Sequence, residues 1–243
     1  MRVFLAGMSS FPEGWQKCEP KYILESFAYM GKKRSNPAEF ASYEHLLDSG
    51  AFTFLQQPNV QINWKEYVTK YAEFIKKWQI KQFFELDIYK IIGIPATENL
   101  RSMLEDITGK QCIPVWHKHL GKEYLEKLCE EYDYIAFGGF AIKDIQPSEF
   151  KFIPKLLEIC EAKDTKVHGL GFTRQSLLKT CKFHSIDSTT WLDSRYGGVY
   201  SYSNGKVTRE VRTKTHRLRP GNDAVLQSFN SWVKFQKYAD LYL

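Results

Sequence analysis

The chain has 243 residues, of which 43% are apolar, and a formal net charge of +6. This length suits one large α/β domain or two small ones, and the absence of an apolar run of about 18 residues excludes an ordinary membrane-spanning helix. The five cysteines lie far apart and form no CxxC pair, which excludes a disulfide framework and a cysteine-built zinc site and predicts a cytoplasmic location.

The alternation of short apolar runs with amphipathic stretches predicts a regular order of strands and helices. Seven strands are predicted, at Arg2–Met8, His45–Ala51, Gln82–Ile88, Cys112–Lys118, Tyr134–Gly139, Lys166–Phe172 and His184–Trp191. Several of them are apolar throughout, as buried parallel strands are. Helices are predicted at Asn63–Trp78, Thr97–Ile107, Lys122–Glu131, Pro147–Cys160, Thr173–Cys181 and Asp223–Leu243.

Repeated β-α units predict parallel strands joined by right-handed crossovers. The predicted fold class is an α/β TIM-like (β/α)8 barrel, formed as a single domain over residues 1–243. The eighth strand is expected in the irregular C-terminal region. That region also contains a predicted basic β-hairpin insertion at about 195–219, turning at Asn204-Gly205, and a closing helix at about 223–243. An open doubly wound sheet is the alternative architecture.

The excess positive charge is confined to residues 195–219, which carry seven Lys or Arg and one acid. Clusters of Lys and Arg attract polyanions because binding releases condensed counterions. Two interpretations of this stretch stay open, a solvated surface hairpin and a nucleic-acid-binding patch. The binding residues in the second interpretation are Arg195, Lys206, Arg209, Arg212, Lys214, Arg217 and Arg219.

Aspartates stand at the carboxyl ends of three predicted strands. They are Asp48 in Leu47-Asp48-Ser49-Gly50-Ala51-Phe52, Asp87 in Glu85-Leu86-Asp87-Ile88, and Asp187 in Ser185-Ile186-Asp187-Ser188-Thr189-Thr190. Acids at strand ends, with glycines that let a ligand approach the backbone, are how α/β barrels build active sites. A helix N-cap or a turn explains any one such aspartate more simply. Three together, beside Gly138, Gly139, Gly169 and Gly171, favour an active site.

The chemistry expected of this site is carboxylate catalysis. Asp48 and Asp187, facing one pocket, can divide the roles of nucleophile and general acid or base. Phe52 follows the Asp48 turn and either stacks on a planar ring or belongs to the core. His117 and His119 share one face of a predicted strand, which permits a metal site but equally a hydrogen-bonding pocket residue at His117.

Taken in order over roughly residues 45–200, these segments resemble the tRNA-guanine transglycosylase superfamily. Asp48-Ser49-Gly50-Ala51-Phe52 is similar to its DSGGF/Y-type motif, and Ile186-Asp187-Ser188 is similar to its FDS/FDC-type segment. Further likenesses are carried by Leu86-Asp87-Ile88, by Pro114-Val115-Trp116-His117 with His117 in place of a Gln, by Phe137-Gly138-Gly139-Phe140, and by His168-Gly169-Leu170-Gly171.

The resemblance implies a base-exchange enzyme that replaces guanine in a nucleic acid with a 7-deazaguanine. It implies that Asp187 is the nucleophile on C1′ and that Asp48 is the general acid/base. The implied base-binding residues are Asp87, Phe52, His117, Gly138, Gly139, His168, Gly169 and Gly171. No cofactor and no metal are implied, because the zinc-binding Cys/His cluster of the tRNA enzymes is absent from this sequence.

The missing zinc cluster and the missing RNA-binding domain make the chain resemble the bacteriophage branch of the superfamily. The implied partners are therefore a nucleic acid, DNA rather than tRNA, and a free 7-deazaguanine such as the 7-cyano form, with no membrane. The implied location is the cytoplasm, that of the host if a phage encodes the chain. Three alternatives stay open: a tRNA-guanine transglycosylase, a metal-dependent barrel hydrolase using His117, His119 and an aspartate, and a non-catalytic nucleic-acid-binding barrel.

Overall fold

A computed structural model of the protein describes residues 1–10, 15–30, 37–40, 42–51, 53, 61–196, 198–211 and 222–243. Its main feature is a parallel sheet of eight strands. The strands are β1 (Arg2–Ala6), β2 (Tyr22–Ser26), β3 (Glu44–Asp48), β4 (Gln82–Phe83), β5 (Val115–Trp116), β6 (Tyr134–Phe137), β7 (Lys166–Gly169) and β8 (Ser185–Ser188). They pair in the order β4-β3-β2-β1-β8-β7-β6-β5.

The sheet curls until its two edge strands meet. An isolated parallel bridge joins Phe84, just after β4, to Ile113, just before β5. The Glu85 N–H donates to the Ile113 carbonyl at 3.1 Å, and the Ile113 N–H donates to the Phe83 carbonyl at 2.8 Å. The predicted TIM-like α/β barrel is confirmed. The alternative of an open doubly wound sheet does not hold, because the strand order runs around the ring without reversing.

The position expected for the eighth strand was wrong. The missing strand is β2, which lies early in the chain and pairs in parallel with both β1 and β3. Its apolar run, Tyr22-Ile23-Leu24, is short and is followed directly by Glu25, so the strand pattern is weak. The C-terminal region instead forms β9 (Gly198–Ser203) and β10 (Lys206–Val211). These pair as the predicted antiparallel hairpin, which is confirmed.

The α-helices of the described residues are α1 (Trp64–Lys77), α2 (Tyr89–Ile92), α3 (Ile94–Thr108), α4 (Gly121–Glu131), α5 (Ile153–Glu161) and α6 (Asn222–Tyr242). The Asn63 side chain accepts the Glu66 N–H at 3.2 Å, which confirms the predicted N-cap of α1. The helix predicted at Thr173–Cys181 is wrong, because only the 3-10 turn Gln175–Leu177 forms there. Within the described ranges, none of the helices combines the length and apolarity needed to cross a membrane.

The interior of the barrel is filled by inward side chains from successive strands. They are Phe4, Ala6, Tyr22, Leu24, Leu46, Phe84, Ile113, Val115 and Ala136. Because side chains alternate along a strand, the residue two positions after an inward one also faces inward. Asp48 follows Leu46, and His117 follows Val115, in this way. Asp187 is in register with the inward Phe4. The barrel therefore turns these polar side chains toward its carboxyl end.

Candidate active site

A cavity of about 470 Å³ opens at the carboxyl ends of the strands. Its acidic lining residues are Glu25, Asp48, Glu85, Asp87 and Asp187. Lys90 and His117 also line it. Barrel enzymes place their active sites at this end, and the cavity has the volume of a small-molecule site. The cavity is therefore the candidate active site.

Asp48 lies at the end of β3, where the chain turns sharply. Its Oδ2 accepts the Gly50 N–H at 3.0 Å. Gly50 has a φ of +81°, and a Cβ there would lie 2.5 Å from the Ala28 Cβ, so the turn requires glycine. Burial, together with the smaller effect of the nearby charges of Asp187 and Asp87, raises the pKa of Asp48 to about 6. Asp48 can therefore hold or release a proton close to neutral pH.

Asp187 lies on β8, where a backbone N–H and a histidine ring hold its side chain. Its Oδ1 accepts the Gly171 N–H at 2.6 Å and lies 3.2 Å from His168 Nε2. Gly171 has a φ of +70°, a conformation that brings its N–H to the carboxylate and that favours glycine. Asp187 and Asp48 both line the cavity.

Asp87 and His117 form a close pair on another wall of the cavity. His117 Nε2 lies 2.9 Å from each carboxylate oxygen of Asp87. The imidazole packs against the Tyr89 ring at 4.7 Å between centroids. A Cβ on Gly138 would lie 2.5 Å from the His117 ring, so this glycine makes room for the imidazole. His117 thus holds the Asp87 carboxylate in place on the cavity wall.

Two buried glutamates near the cavity were missed by the sequence analysis. Glu25 accepts the Ser9 N–H at 2.9 Å, and Glu85 accepts the Val115 N–H at 2.6 Å. Burial raises the pKa of Glu25 to about 7 and that of Glu85 to about 8. Arg101 lies 3.5 Å from Glu85 and partly offsets this rise. The available signal was an acid directly after an apolar run, as in Tyr22-Ile23-Leu24-Glu25.

Glu25→Gln is expected to flatten the pH dependence of stability. Folding raises the pKa of Glu25 from 4.5 to about 7, so its stabilising effect is present below pH 4.5 and is lost as the pH rises through about 7. Between these limits the wild-type free energy of unfolding should fall by about 3 kcal/mol more than that of the variant, at about 1.4 kcal/mol per pKa unit. Urea denaturation of both proteins across this pH range measures the difference.

The matched control is Glu73→Gln, an exposed glutamate on α1. Its pH dependence of stability should follow that of the wild type. Parallel curves for the wild type and Glu25→Gln would contradict the raised pKa and would mean that Glu25 exchanges its proton in the folded protein as it does in the unfolded chain.

The structure brings most of the predicted pocket residues to the cavity. Those lining it are Asp48, Asp87, His117, Gly138, Gly139, Gly171 and Asp187. His168 is not on the cavity wall but fully buried behind Asp187. Gly169 also lies deeper, where a Cβ would meet Phe172 at 3.0 Å and Phe183 at 3.3 Å. Phe52 lies outside the described residues, so its predicted stacking role stays a prediction.

Three of the predicted nucleic-acid-binding residues, Arg195, Lys206 and Arg209, lie in the described part of the chain, and none of the three lines the cavity. Lys206 and Arg209 are exposed on β10. Arg195 donates to the Ser10 carbonyl and is therefore engaged within the fold. Arg212, Lys214, Arg217 and Arg219 lie outside the described residues. The hairpin carries exposed cations, and its binding of nucleic acid stays a prediction.

Within the described part of the chain, no three His, Cys, Asp or Glu side chains are grouped so that they could hold a metal ion. His117 faces Asp87, and the His119 ring contacts the Tyr89 ring at 4.8 Å between centroids. His117 and His119 therefore both pack against the Tyr89 ring, and His117 has Asp87 as its carboxylate partner.

Comparison with known proteins shows a shared fold without a shared family. No family model and no curated protein matches the chain. A native KDPGal structure aligns with a TM-score of 0.50 and 11% identity, covering 98% of this chain and 94% of that one. A protein assigned as a fructose-1,6-biphosphate aldolase from Coccidioides immitis aligns with a TM-score of 0.54 and 10% identity, covering 98% of this chain and 89% of that one. At this identity the likeness shows the fold alone.

The assignment to the guanine transglycosylase superfamily is therefore wrong. No model of that or any other family matches the chain, and the solved structures of similar fold include an assigned aldolase instead. The predictions that depended on this assignment are wrong for the same reason. They are base exchange in DNA or tRNA, pentosyl transfer and membership of the phage branch. The alternatives of a metal-dependent hydrolase and a non-catalytic nucleic-acid-binding barrel gain no support. Acids and glycines at strand ends suit many barrel sites, so such short motifs do not identify one family.

Proposed function

We propose that the chain is an enzyme that performs general acid–base catalysis on a small organic molecule bound in the cavity. The observation that carries this proposal is the unlike surroundings of two carboxyl groups on the same cavity. Burial raises the pKa of Asp48 to about 6, whereas Asp187 is held by the Gly171 N–H and by His168. Carboxyl groups in such different environments take different roles in acid–base catalysis.

Each group has a role that follows from its surroundings. Asp48 takes a proton from the substrate, or gives one to it, because its protonated and ionised forms both exist near neutral pH. Asp187 is the fixed anion that stabilises positive charge as it develops in the transition state. Asp87 and His117 bind a polar edge of the substrate, and the Gly139 backbone lets the substrate approach closely.

The charge of the cavity wall favours an uncharged or cationic substrate. Acidic side chains line several sides, whereas the cation on the wall, Lys90, is paired with Asp144. A phosphate group would meet the carboxylates of Asp48, Asp87 and Asp187 at short range, and such repulsion is strong where water is excluded. Leu24, Val115 and Leu170 add an apolar surface to the wall. We therefore expect a small molecule with hydrogen-bond donors and one apolar face.

The experiment is an untargeted turnover assay. Wild type, Asp48→Asn and Asp187→Asn are incubated with a metabolite mixture that includes polyhydroxylated compounds, amines and phosphorylated sugars, and consumption is followed by mass spectrometry. We expect the wild type to consume an uncharged or cationic compound that neither variant consumes. Consumption that persists in both variants, or that is restricted to phosphorylated compounds, would show that the cavity is not the active site proposed.

Aldol-type cleavage of a carbon–carbon bond is the second candidate. One solved structure of similar fold is assigned as an aldolase, and Lys90 on the cavity wall is an amine within reach of a bound carbonyl group. Lys90 is ion-paired with Asp144, so Schiff-base formation would first have to break this pair. Borohydride reduction with a carbonyl substrate present decides between the two. A covalent adduct on Lys90 favours aldol chemistry, and its absence favours catalysis by the carboxyl groups.

Polyanion binding by the basic hairpin is proposed separately from catalysis. Lys206→Gln with Arg209→Gln should weaken binding of a duplex DNA oligonucleotide. It should also reduce the slope of log K against log salt by about 0.9 for each phosphate that the variant no longer neutralises. Fluorescence anisotropy over a range of salt concentrations measures both. Lys65→Gln with Lys155→Gln is the control, since both lysines are exposed elsewhere and the charge change is equal. Equal slopes for the two double variants would contradict a specific role of the hairpin.

A further inference from the structure

Hydrogen-bonding side chains connect Asp187 to the interior of the barrel. Asp187 Oδ1 lies 3.2 Å from His168 Nε2, and His168 Nδ1 lies 2.5 Å from Ser185 Oγ. Ser185 Oγ in turn lies 2.5 Å from the Tyr134 hydroxyl. Tyr134 and Ser185 are the first residues of β6 and β8. The three residues Tyr134, Ser185 and His168, here called the interior chain, thus reach from the cavity toward the amino-terminal end of the barrel.

The interior chain lies in apolar surroundings. His168 and Ser185 have no exposed surface. The rings of Phe4 and Phe84 lie 6.0 Å and 5.2 Å from the imidazole between centroids. Polar groups placed in such an interior are costly unless they are hydrogen-bonded to one another. Apolar side chains at these positions would avoid this cost. We therefore expect these polar groups, which lie directly behind Asp187, to act on its carboxylate.

For a neutral imidazole, the hydrogens of the interior chain fit an ionised Asp187 in one arrangement. The Tyr134 O–H donates to Ser185 Oγ, and the Ser185 O–H donates to an unprotonated His168 Nδ1. The His168 Nε2–H then donates to Asp187 Oδ1, so each donor meets one acceptor. If the direction were reversed, Nε2 would carry a lone pair toward Asp187, and the carboxyl group would have to be protonated.

We propose that the interior chain is a positioning device, which holds His168 as the neutral Nε2–H tautomer and thereby keeps Asp187 ionised and fixed at the cavity. The proposal rests on the proposed function for the role of Asp187 in catalysis. The charged and ionisable groups that face the assembly are Arg2 on β1, Asp48 on β3 and His184 before β8. Of these, Asp48 is the group that interacts electrostatically with Asp187 itself.

The first test is the tautomer of His168 in the intact chain. NMR of protein carrying 15N-labelled histidine distinguishes a bare Nδ1 from a protonated one, and His168→Gln assigns the signal. We expect a neutral Nε2–H imidazole around neutral pH. An Nδ1–H tautomer or an imidazolium would overturn the proposal. This readout needs no substrate, so it fails or succeeds independently of the proposed enzymatic function.

The second test is the titration of Asp187, followed by 13C NMR of labelled aspartate and assigned with Asp187→Asn. Removing a hydrogen bond to the charged form of a carboxylate raises its titration midpoint. We expect this rise in His168→Phe, a smaller rise in Ser185→Ala and Tyr134→Phe, and little change in His168→Gln. The amide of His168→Gln can still donate to Asp187, so this variant is the conservative rescue.

The matched control is Ser231→Ala, a buried serine on α6 whose hydroxyl donates to the Gln227 carbonyl at 3.0 Å. It removes a buried hydroxyl without touching the interior chain, and the titration of Asp187 should stay that of the wild type. If His168→Phe fails to fold, Ser185→Ala and Tyr134→Phe still decide the question. An unchanged midpoint of Asp187 in both of these variants would overturn the proposal.

Discussion

Asp187→Asn is expected to reduce turnover by roughly 10²–10³-fold, the usual cost of removing one group that stabilises charge in the transition state, while the fold is retained. The substitution keeps the shape of the side chain, and its carbonyl oxygen can still accept the Gly171 N–H that Asp187 Oδ1 accepts at 2.6 Å. What it removes is the negative charge opposite Asp48. A transition state that gains positive charge in the cavity then loses its closest fixed anion.

The measurement is kcat and KM for the substrate that the turnover assay identifies, together with the thermal unfolding midpoint. Asp133→Asn is the matched control, because Asp133 is exposed just before β6, at the opposite end of the barrel. The control should keep wild-type kinetics. A value of kcat within a few-fold of wild type for Asp187→Asn would show that the charge of this residue is not used in the reaction.

Trp191→Ala is expected to destabilise the protein by about 3–5 kcal/mol, the usual cost of removing a large buried aromatic side chain. Trp191 has no exposed surface and lies in the 3-10 helix Thr190–Tyr196, which follows β8. Its indole N–H donates to the Ala6 carbonyl at 3.0 Å, and its ring meets the Phe229 ring edge-on at 4.8 Å between centroids. The side chain therefore ties the segment after Asp187 to β1 and to α6.

Urea denaturation with linear extrapolation gives the free energies of unfolding. Trp191→Phe keeps most of the buried surface and loses the indole donor, so it should cost about 1–3 kcal/mol. Leu241→Ala, at a side chain that is 75% exposed, should stay within about 0.5 kcal/mol of wild type. Equal stability of Trp191→Ala and Leu241→Ala would contradict the packing described for this tryptophan.

The sequence determined the features that depend on near neighbours along the chain. Apolar runs separated by amphipathic stretches predicted the barrel, and Asn204-Gly205 predicted the turn of the hairpin. Asn63 before an amphipathic stretch predicted the start of α1. The prediction failed where local signals are weak, as in β2 with its short apolar run before Glu25, and in the turn Gln175–Leu177. There, contacts with distant parts of the chain decide the backbone conformation.

Aspartates at strand ends could also be located from sequence, because parallel strands bring their carboxyl ends to one edge. The surroundings of these aspartates could not be predicted from sequence. Whether Asp48 is desolvated, and how closely Asp187 approaches it, depends on side chains from β3, β7 and β8 that are distant in sequence. The depth of His168 and the burial of Glu25 and Glu85 were hidden for the same reason. The short motifs also suggested the wrong family, since they record residue types without their surroundings.

The amino-acid sequence by itself thus determined a parallel barrel with acids at its mouth and a basic hairpin beside its C-terminal helix. Only the tertiary structure decided which acids line the same cavity. It also decided that His168 lies behind Asp187 and not on the cavity wall. The physical reason is the different range over which these interactions act. Strand and turn preferences act over a few residues, whereas the pKa of a carboxyl group depends on every charge, donor and apolar surface that folding places around it.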